Sequence, residues 1–292
     1  MAHERHHRPA LVAGLFYEDN PAELEKSIAA SCLHPLGAGH LPVVAADGAR
    51  VIVGLVCPHA GYLYSGPPAT RSYVRLAEDG VPEVAVIVAP AHYRPVGDCA
   101  VWAEGVWETP LGEVPVDAEL AAALVERHPL IQVSELPHLG LPSHPEHAIE
   151  VQLPFLQFCY RDRTPRIVPM AVSAYDFGTL QTIGAVIGDA LKDRNAVVIA
   201  SCDLTHYQPH EVAKQQDMVA LRCIADLDAA GLMTCIRRYE SLSDAIAAVV
   251  MLAACQIMGA TRGEILGHST SGDITRDRAH VVGYGAAAVL KV

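Results

Sequence analysis

The sequence predicts an α/β fold, in which a central sheet of mostly parallel or mixed strands is flanked by helices. Three continuous runs rich in Val, Ile and Ala, at residues 51–57, 84–89 and 196–200, have the composition of strands buried on both faces of a parallel sheet. Helical segments separate these runs, and such alternation is typical of α/β folds. Hydrophobic residues make up 51% of the 292 residues, which is enough to build a large core.

We expect one domain over residues 1–292, because no linker, low-complexity tract or internal repeat interrupts the chain. Residues 1–7 are expected to be a flexible N-terminus, although they contain several histidines. The first helix is expected at Pro21, where Asn20 has the position of an N-cap and Glu23 lies in the first turn. The other elements expected in the first half are a strand at 51–57, a helix at 67–76, a strand at 84–89, short strands or a hairpin at 97–115, and a helix from Asp117 to His128.

Residues 129–143 form a long irregular segment, and loops of that length inside a domain are usually functional. Ser143, Pro145 and Glu146 then have the pattern of a helix start, and the helix is expected to run to Tyr160 with a kink at Pro154. The remaining expected elements are strands at 166–172, 196–200 and 281–289 and helices at 178–192, 209–230 and 243–259.

Histidines follow the buried strands at the points where the strands end. His59 and His92 come after the first two runs, and Asp203 with His206 comes after the third. Because loops at the carboxyl ends of parallel strands converge on one crevice, these side chains are predicted to share a site. A single histidine in such a loop is commonly just hydrogen-bonded to a backbone carbonyl, but the repetition at three strand ends favours a metal or catalytic site.

The residue types in these loops are those of a non-haem iron centre. Two histidines and one carboxylate on one face of Fe(II) leave positions open for substrate and dioxygen. Asp203 is the nearest carboxylate, yet its spacing of three residues from His206 equally fits a role in orienting that imidazole. His147 and Glu150 share a helical face, which fits either a pocket wall or an ordinary polar surface. Cys202 is disfavoured as a nucleophile, because a small cysteine at a strand end is common.

Composition disfavours several other classes of protein. The net charge of -12 and the lack of a basic cluster argue against nucleic acid and anionic membranes as partners. The apolar stretch from Ala245 to Ala260 is shorter than the roughly 18–20 residues of a membrane span and is expected to be a core helix. Eight cysteines without paired spacings fit reduced thiols and a cytoplasmic location. No Walker loop or nucleophile elbow is present.

Several motifs, in order and over nearly the whole chain, resemble those of the Memo (mediator of cell motility) family. They are residues 8–17 (RPALVAGLFY), 58–62 (PHAGY), 146–150 (EHAIE), 201–206 (SCDLTH) and the closing VVGYGAAA. The chain resembles a prokaryotic member. The resemblance implies a fold similar to the LigB-type class III extradiol dioxygenases, which open catechol rings with non-haem iron.

Carried over by position, the resemblance implies that His59 and His92 are metal ligands and that His206 is the acid/base. Asp203 corresponds to an acidic residue lining the same pocket, and we assign Tyr62, His147 and Glu150 to the substrate pocket. The third ligand departs from the family pattern. Animal members place a cysteine ahead of the late apolar helix, where this chain has Ser243 or Asp244.

Asp244 would complete a set of two histidines and one carboxylate, but as the first residue of a helix it fits an N-cap equally well. Asp203 and His206 are then the next candidates for the third ligand.

The leading interpretation is a cytoplasmic, Fe(II)-dependent, dioxygenase-like oxidoreductase acting on a small catechol-like or enediol substrate. A metal-binding redox or scaffold protein without turnover, holding iron or copper, is one alternative, and a Zn-dependent hydrolase is another. The resemblance also implies a radical-SAM protein as a partner.

Overall fold

The computed structural model describes residues 6–292. The flexible terminus expected over residues 1–7 therefore falls mostly outside the described residues. Its last residue, His7, lies in a short strand that pairs in parallel with Val106, so that end of the segment is ordered by the sheet.

Helices and strands alternate along the described chain. The strands are β1 (His7–Arg8), β2 (Ile52–Cys57), β3 (Val84–Pro90), β4 (Cys99–Val101), β5 (Val106–Thr109), β6 (Gly112–Pro115), β7 (Ile131–Val133), β8 (Gly140–Leu141), β9 (His144–Pro145), β10 (Arg166–Val172), β11 (Ala196–Ser201), β12 (His206–Gln208), β13 (Arg262–Thr270) and β14 (Val281–Leu290). The helices are α1 (Pro21–Leu33), α2 (Tyr62–Asp79), α3 (Ala118–Arg127), α4 (Leu136–Leu139), α5 (Leu153–Tyr160), α6 (Phe177–Leu191), α7 (His210–Ala225), α8 (Ala229–Arg238), α9 (Ile246–Ile257) and α10 (Ser271–Thr275).

A mixed sheet forms the centre of the molecule and confirms the predicted α/β class. Within residues 6–292 it has nine strands in the order β12-β14-β2-β11-β3-β10-β4-β7, with β13 paired to β14. The strands β2, β11, β3 and β10 are mutually parallel neighbours, whereas β14 and β4 join them in antiparallel orientation. The three apolar runs singled out in the sequence are therefore adjacent strands, and their carboxyl ends lie at one edge.

Helices cover both faces of this sheet. One core packs α6, α7, α8 and α9 against the sheet, and the other packs α1, α2 and α5 against its opposite face. The stretch Glu240–Ile257 is long and apolar enough to cross a membrane by length and composition, but 72% of it is buried inside the protein. Its helical part, α9, lies against α6, β11, β2 and β3, as expected for a core helix.

The helix expected from Ser143 is wrong. His144 and Pro145 pair with residues 140–141 as a small hairpin, and α5 begins only at Leu153 after a 3-10 turn at Glu150–Gln152. The Glu146 carboxylate, expected near the start of that helix, instead accepts hydrogen bonds from the backbone N–H groups of the next two residues. Pro154 lies in the first turn of α5, where proline is tolerated, and so produces no internal kink.

Two further differences concern the C-terminal half. The helix expected over residues 209–230 is divided, because Asp228 caps a second helix at Gly231 N–H. Strand β13 was not predicted. Its residues are mostly half-buried and do not alternate clearly between buried and exposed positions, so no strand pattern is visible in the sequence. The strand forms by pairing with β14.

Candidate metal centre

The loops that follow β2, β3 and β11 bring the predicted histidines together. His59 and His92 each lie two residues beyond the end of their strand, and their rings stand 5.2 Å apart at nearly right angles. The chain after β11 carries Asp203 and then His206, the first residue of β12. The geometry follows from the parallel order of the strands, since their carboxyl ends share one edge.

Asp244 lies at the point on which these imidazoles converge. Its Oδ2 is 3.1 Å from His59 Nε2, 3.6 Å from His92 Nε2 and 3.8 Å from His206 Nε2. Two ligands bound at about 2.1 Å to one ion lie roughly 3.0–3.4 Å apart, so this spacing is close to that of a metal ligand set. The side chain does not cap α9, whose N-cap position is Ala245 and which has no side-chain cap among the described residues.

Hydrogen bonds fix the orientation of the His59 ring. Ser201 Oγ donates its proton to the Ala148 carbonyl at 2.6 Å and accepts from the Gln152 amide at 2.7 Å. The hydroxyl must therefore accept from His59 Nδ1, 3.3 Å away, so Nδ1 carries a proton. In the neutral ring this arrangement leaves the lone pair on Nε2, which faces Asp244.

The rings of His92 and His206 are oriented in the same way. His92 Nδ1 donates to the Glu146 carboxylate at 3.0 Å, and His206 Nδ1 donates to the Ser241 carbonyl at 3.2 Å. Both acceptors lack a proton, which places the proton on Nδ1 and directs Nε2 toward Asp244. A partner on the remote ring nitrogen is the usual arrangement for histidines that bind metals.

The charges at this point are strongly coupled. Burial disfavours the protonated form of His92, but the nearby Asp244 carboxylate and the hydrogen bond to Glu146 outweigh that effect and raise its pKa to about 10. Burial likewise disfavours the Asp244 carboxylate, yet the hydrogen bond from His59 and the nearby His92 imidazole hold its pKa well below the usual range. Positive charge is therefore stabilised between the carboxylate and the two imidazoles. A divalent cation supplies that charge while satisfying all three groups together, so the donor set fits a metal ion.

His147 is a third imidazole of this cluster. The ligand nitrogens of His59, His92 and His147 all lie within 4.8 Å of one another, which makes the three a group able to hold a metal ion. The His147 ring stacks on His92, with centroids 5.0 Å apart, and on Phe16 at 4.3 Å. Burial, reinforced by the nearby His59, lowers the pKa of His147 to about 3, so its ring is neutral.

Two other predicted site residues, Asp203 and Tyr62, form hydrogen bonds with backbone groups. Asp203 is buried and accepts a hydrogen bond from the backbone N–H of His59, and burial raises its pKa. Tyr62 is also buried and donates its hydroxyl proton to the Val151 carbonyl.

Glu150 does not line the pocket to which the sequence assigned it. It is fully buried in an ion pair with Arg8, and its carboxylate also accepts from two backbone N–H groups and from Tyr17. The sequence placed Glu150 on the same helical face as His147, but the helix expected from Ser143 does not form and Glu150 lies in the 3-10 turn before α5.

Sequence reasoning missed two groups that hold the imidazoles in place. Glu146 was explained as a helix cap, and Ser201 was noted only as the first residue of the motif 201–206. Each is adjacent in sequence to a residue that was singled out, but the partnership of Glu146 with His92 spans 54 residues and that of Ser201 with His59 spans 142.

A cavity of about 570 Å³ opens beside the cluster. His147, Asp203 and His206 line the cavity, together with residues of α10 and the following loop. A small molecule in this cavity can therefore reach both Asp203 and His206.

Comparisons with known proteins identify the family to which the chain belongs. The family model described as Memo-like protein matches residues 8–288. The chain belongs to the Memo family. Archaeal members of the family include a protein of Methanopyrus kandleri, 42% identical over 96% of this chain and 97% of its own length. Another, from Methanothermobacter thermautotrophicus, is 39% identical over 95% of this chain and 98% of its own.

A solved structure shares the fold. It is an uncharacterized protein of Escherichia coli K12, with a TM-score of 0.56 and 16% sequence identity, and the match covers 81% of this Memo chain and 99% of that protein. At this identity the likeness concerns the fold alone.

Proposed function

We propose that this Memo protein is a metal-dependent, dioxygenase-like oxidoreductase in which His59, His92 and Asp244 hold Fe(II). The observation that supports it is the convergence of two imidazole Nε2 atoms on one buried carboxylate oxygen, at 3.1 and 3.6 Å. Two neutral imidazoles and one anion form the facial ligand set of non-haem Fe(II) oxygenases. Fe(II) held in this way supplies open positions for a catechol-like or enediol substrate and for dioxygen.

His206 is the proposed acid/base. Its Nδ1 proton is committed to the Ser241 carbonyl, so Nε2 is the atom that accepts a proton from a substrate hydroxyl and later returns it. The side chain is half-buried and lines the cavity, which gives a substrate access to this atom.

Asp203 is proposed to stabilise the site by joining two of its loops. Its Oδ1 accepts from the His59 backbone N–H at 2.8 Å, which ties the loop after β2 to the loop after β11. The same carboxylate lines the cavity and can accept a hydrogen bond from a bound hydroxyl group.

A second candidate function follows from His147. Three imidazoles that share one metal, with water in the fourth position, form the ligand set of several Zn enzymes. In that case the protein would be a Zn-dependent hydrolase, with His147 as a ligand in place of Asp244. The two candidates differ in which side chain the metal requires.

Anaerobic titration of Fe(II) and of Zn(II) into matched variants separates these functions. Asp244→Asn keeps the size of the side chain but removes the anion, so it should weaken Fe(II) binding by at least about tenfold if Asp244 is a ligand. His147→Phe preserves stacking on Phe16 and should leave Fe(II) affinity nearly unchanged. The opposite pattern, with His147 essential and Asp244→Asn silent, would support the Zn site and overturn the proposed iron centre.

Turnover provides the second test. His206→Ala should retain metal but lose about a hundredfold to ten-thousandfold in the rate of oxygen uptake with catechol substrates, the usual contribution of general acid–base catalysis. Loss of metal together with activity would instead make His206 a ligand.

A further inference from the structure

The cavity beside the cluster is larger than a catechol needs. A single benzene ring fits a cavity of roughly 150 Å³, whereas this cavity has about 570 Å³. Besides His147, Asp203 and His206, its lining includes Ser271, Thr275, Asp277 and His280 from α10 and the loop after it. A ligand that fills the space can therefore contact both the imidazoles and α10.

Aromatic rings form much of the wall of this cavity. Phe16, Tyr64, Tyr207 and Tyr284 all line the cavity. Tyr207 is 72% exposed and has a left-handed backbone with φ of 57°, an uncommon conformation for a bulky residue. His280 Nδ1 donates to the Tyr207 carbonyl at 3.3 Å and so links this residue to the loop after α10. Aromatic faces of this kind bind planar groups and cations.

The charged groups on the wall are acidic. Asp203 and Asp277 both line the cavity, and no lysine or arginine is among the described residues that line it. Arg278, close in sequence, has its guanidinium 3.9 Å from Asp273. The net charge of the chain, -12, has the same sign. A carboxylate or phosphate would meet repulsion here, whereas an ammonium group would meet carboxylates and ring faces.

We propose that the cavity binds a substrate whose planar head lies at the imidazole cluster and whose arm carries a protonated amine toward Asp277. The position of the head rests on the proposed function, but the preference for the amine rests only on the wall.

Three matched probes test this preference: 3,4-dihydroxyphenethylamine, the corresponding alcohol and 3,4-dihydroxyphenylacetate. Binding is measured by calorimetry under anaerobic conditions, with metal-free and with Fe(II)-loaded protein. We expect the amine to bind about five- to tenfold more tightly than the carboxylate, with the alcohol between them, and the ratio to shrink with added salt because partly exposed charges are screened. Equal binding of amine and carboxylate, or tighter binding of the carboxylate, overturns the proposal.

The same series distinguishes this inference from the proposed function. If the iron centre is wrong, Fe(II) will not tighten any of the probes, but the ratio of amine to carboxylate will persist. If the amine preference is wrong, Fe(II) will tighten all three probes equally and the ratio will be near one.

The variant Asp277→Asn tests whether the amine-bearing arm of the ligand binds near Asp277. The amide keeps an oxygen that can accept from the Ala279 backbone N–H, as Asp277 Oδ1 does, so the loop should stay folded. We expect the preference for the amine to fall at least about twofold, which is within the range of one exposed ion pair. Asp193→Asn is the matched control, because Asp193 is exposed and precedes β11 at the opposite edge of the sheet. An unchanged preference in Asp277→Asn contradicts the placement of the arm.

Discussion

Glu146 shows how one side chain organises the site at the scale of single residues. Its carboxylate accepts from the His92 ring at 3.0 Å and from the backbone N–H groups of His147 and Ala148. Burial disfavours the charged carboxylate, but the contact with His92 outweighs burial and lowers its pKa to about 2. Glu146 thus stays ionised and holds His92 with Nε2 directed at Asp244.

Glu146→Gln should weaken metal binding by about 10–100-fold, the usual effect of removing a partner from a metal-binding histidine. The glutamine side chain can still accept from the backbone, so the fold should survive. Circular dichroism checks the fold while metal titration measures affinity, and Glu126→Gln on the exposed side of α3 serves as the control. Full affinity in Glu146→Gln would show that the orientation of His92 does not depend on this bond.

His138 is a second residue whose surroundings determine its charge. The ring is fully buried, packs edge-on against Trp102 and Trp107, and has no hydrogen-bond partner on either nitrogen among the described residues. Burial, reinforced by the nearby Arg8, lowers its pKa to about 3.

His138→Phe should make the protein less sensitive to acid. An unfolded histidine takes up a proton near its usual pKa of about 6.5, whereas folded His138 does so only near pH 3, so stability falls as the pH drops through this window. Phenylalanine does not titrate and therefore removes this loss of stability on acidification. His147, whose pKa is also lowered, still makes the variant somewhat less stable in acid. The measurement is the free energy of unfolding in urea at about pH 7 and about pH 5. An identical loss on acidification in the variant and the parent would contradict the prediction.

At the scale of elements, close packing of helices places Asp244. Gly184 and Gly188 lie one turn apart on α6, and a Cβ on either would lie 2.5 Å from a backbone carbonyl oxygen of α9. The absence of side chains at these positions lets α9 approach α6 closely. The position of α9, in turn, determines where the preceding residues, including Asp244, meet the ends of β2 and β3.

The N-terminal segment is held by a buried ion pair. Arg8 contacts Glu150, donates to the carbonyls of His138 and Glu146, and lies 4.1 Å above the Trp107 ring. The Glu150 carboxylate also binds the backbone of Leu11 and Val12. These bonds join β1 and the following loop to the 3-10 turn that precedes α5.

Glu150→Ala should destabilise the protein by about 3–5 kcal/mol, because it leaves the Arg8 charge buried without a partner. The measurement is the midpoint of urea unfolding. Glu25→Ala, which removes an exposed ion pair with Arg161, should change stability by no more than about 1 kcal/mol. Folded Glu150→Ala should still bind metal. Loss of metal binding without loss of stability would show instead that Glu150 belongs to the metal or substrate site.

At the scale of the whole molecule, the candidate site joins separate parts of the chain. His59, His92 and Asp244 follow or precede different elements, and His59 and Asp244 are 185 residues apart in sequence. A ligand bound at their meeting point is therefore expected to stabilise the folded state against the unfolded chain, in which this point does not exist.

Metal at about 100 times its dissociation constant should add about 2.7 kcal/mol to the free energy of unfolding. The measurement compares thermal unfolding of the protein with Fe(II) or Zn(II) and with a chelator, under anaerobic conditions. His92→Ala should remove the increase; because it also removes a partner of the buried Glu146 and Asp244 carboxylates, the increase is measured against the chelated form of the same variant. A metal-dependent increase that persists in His92→Ala would place the binding elsewhere.

Much of the site was predictable because it repeats a local pattern. His59 and His92 each follow a buried strand, and parallel strands bring such loops to one edge whatever the intervening sequence. The position of Asp244 was predicted from resemblance, but a residue ahead of a helix fits a cap as well as a ligand, so the sequence left both open. Glu150 shows the converse, because the helical spacing that linked it to His147 belonged to a helix that begins later.

The sequence alone determined the α/β class, the three adjacent buried strands and the histidines at their ends, because hydrophobic periodicity and strand polarity are local properties of the chain. Only the tertiary structure decided that Asp244 Oδ2 lies 3.1 Å from His59, that Glu146 holds His92, and that Glu150 is committed to Arg8. These partnerships connect distant segments, and they depend on how closely helices and loops pack. Because that packing is determined by the whole set of contacts, no local pattern in the sequence carries it.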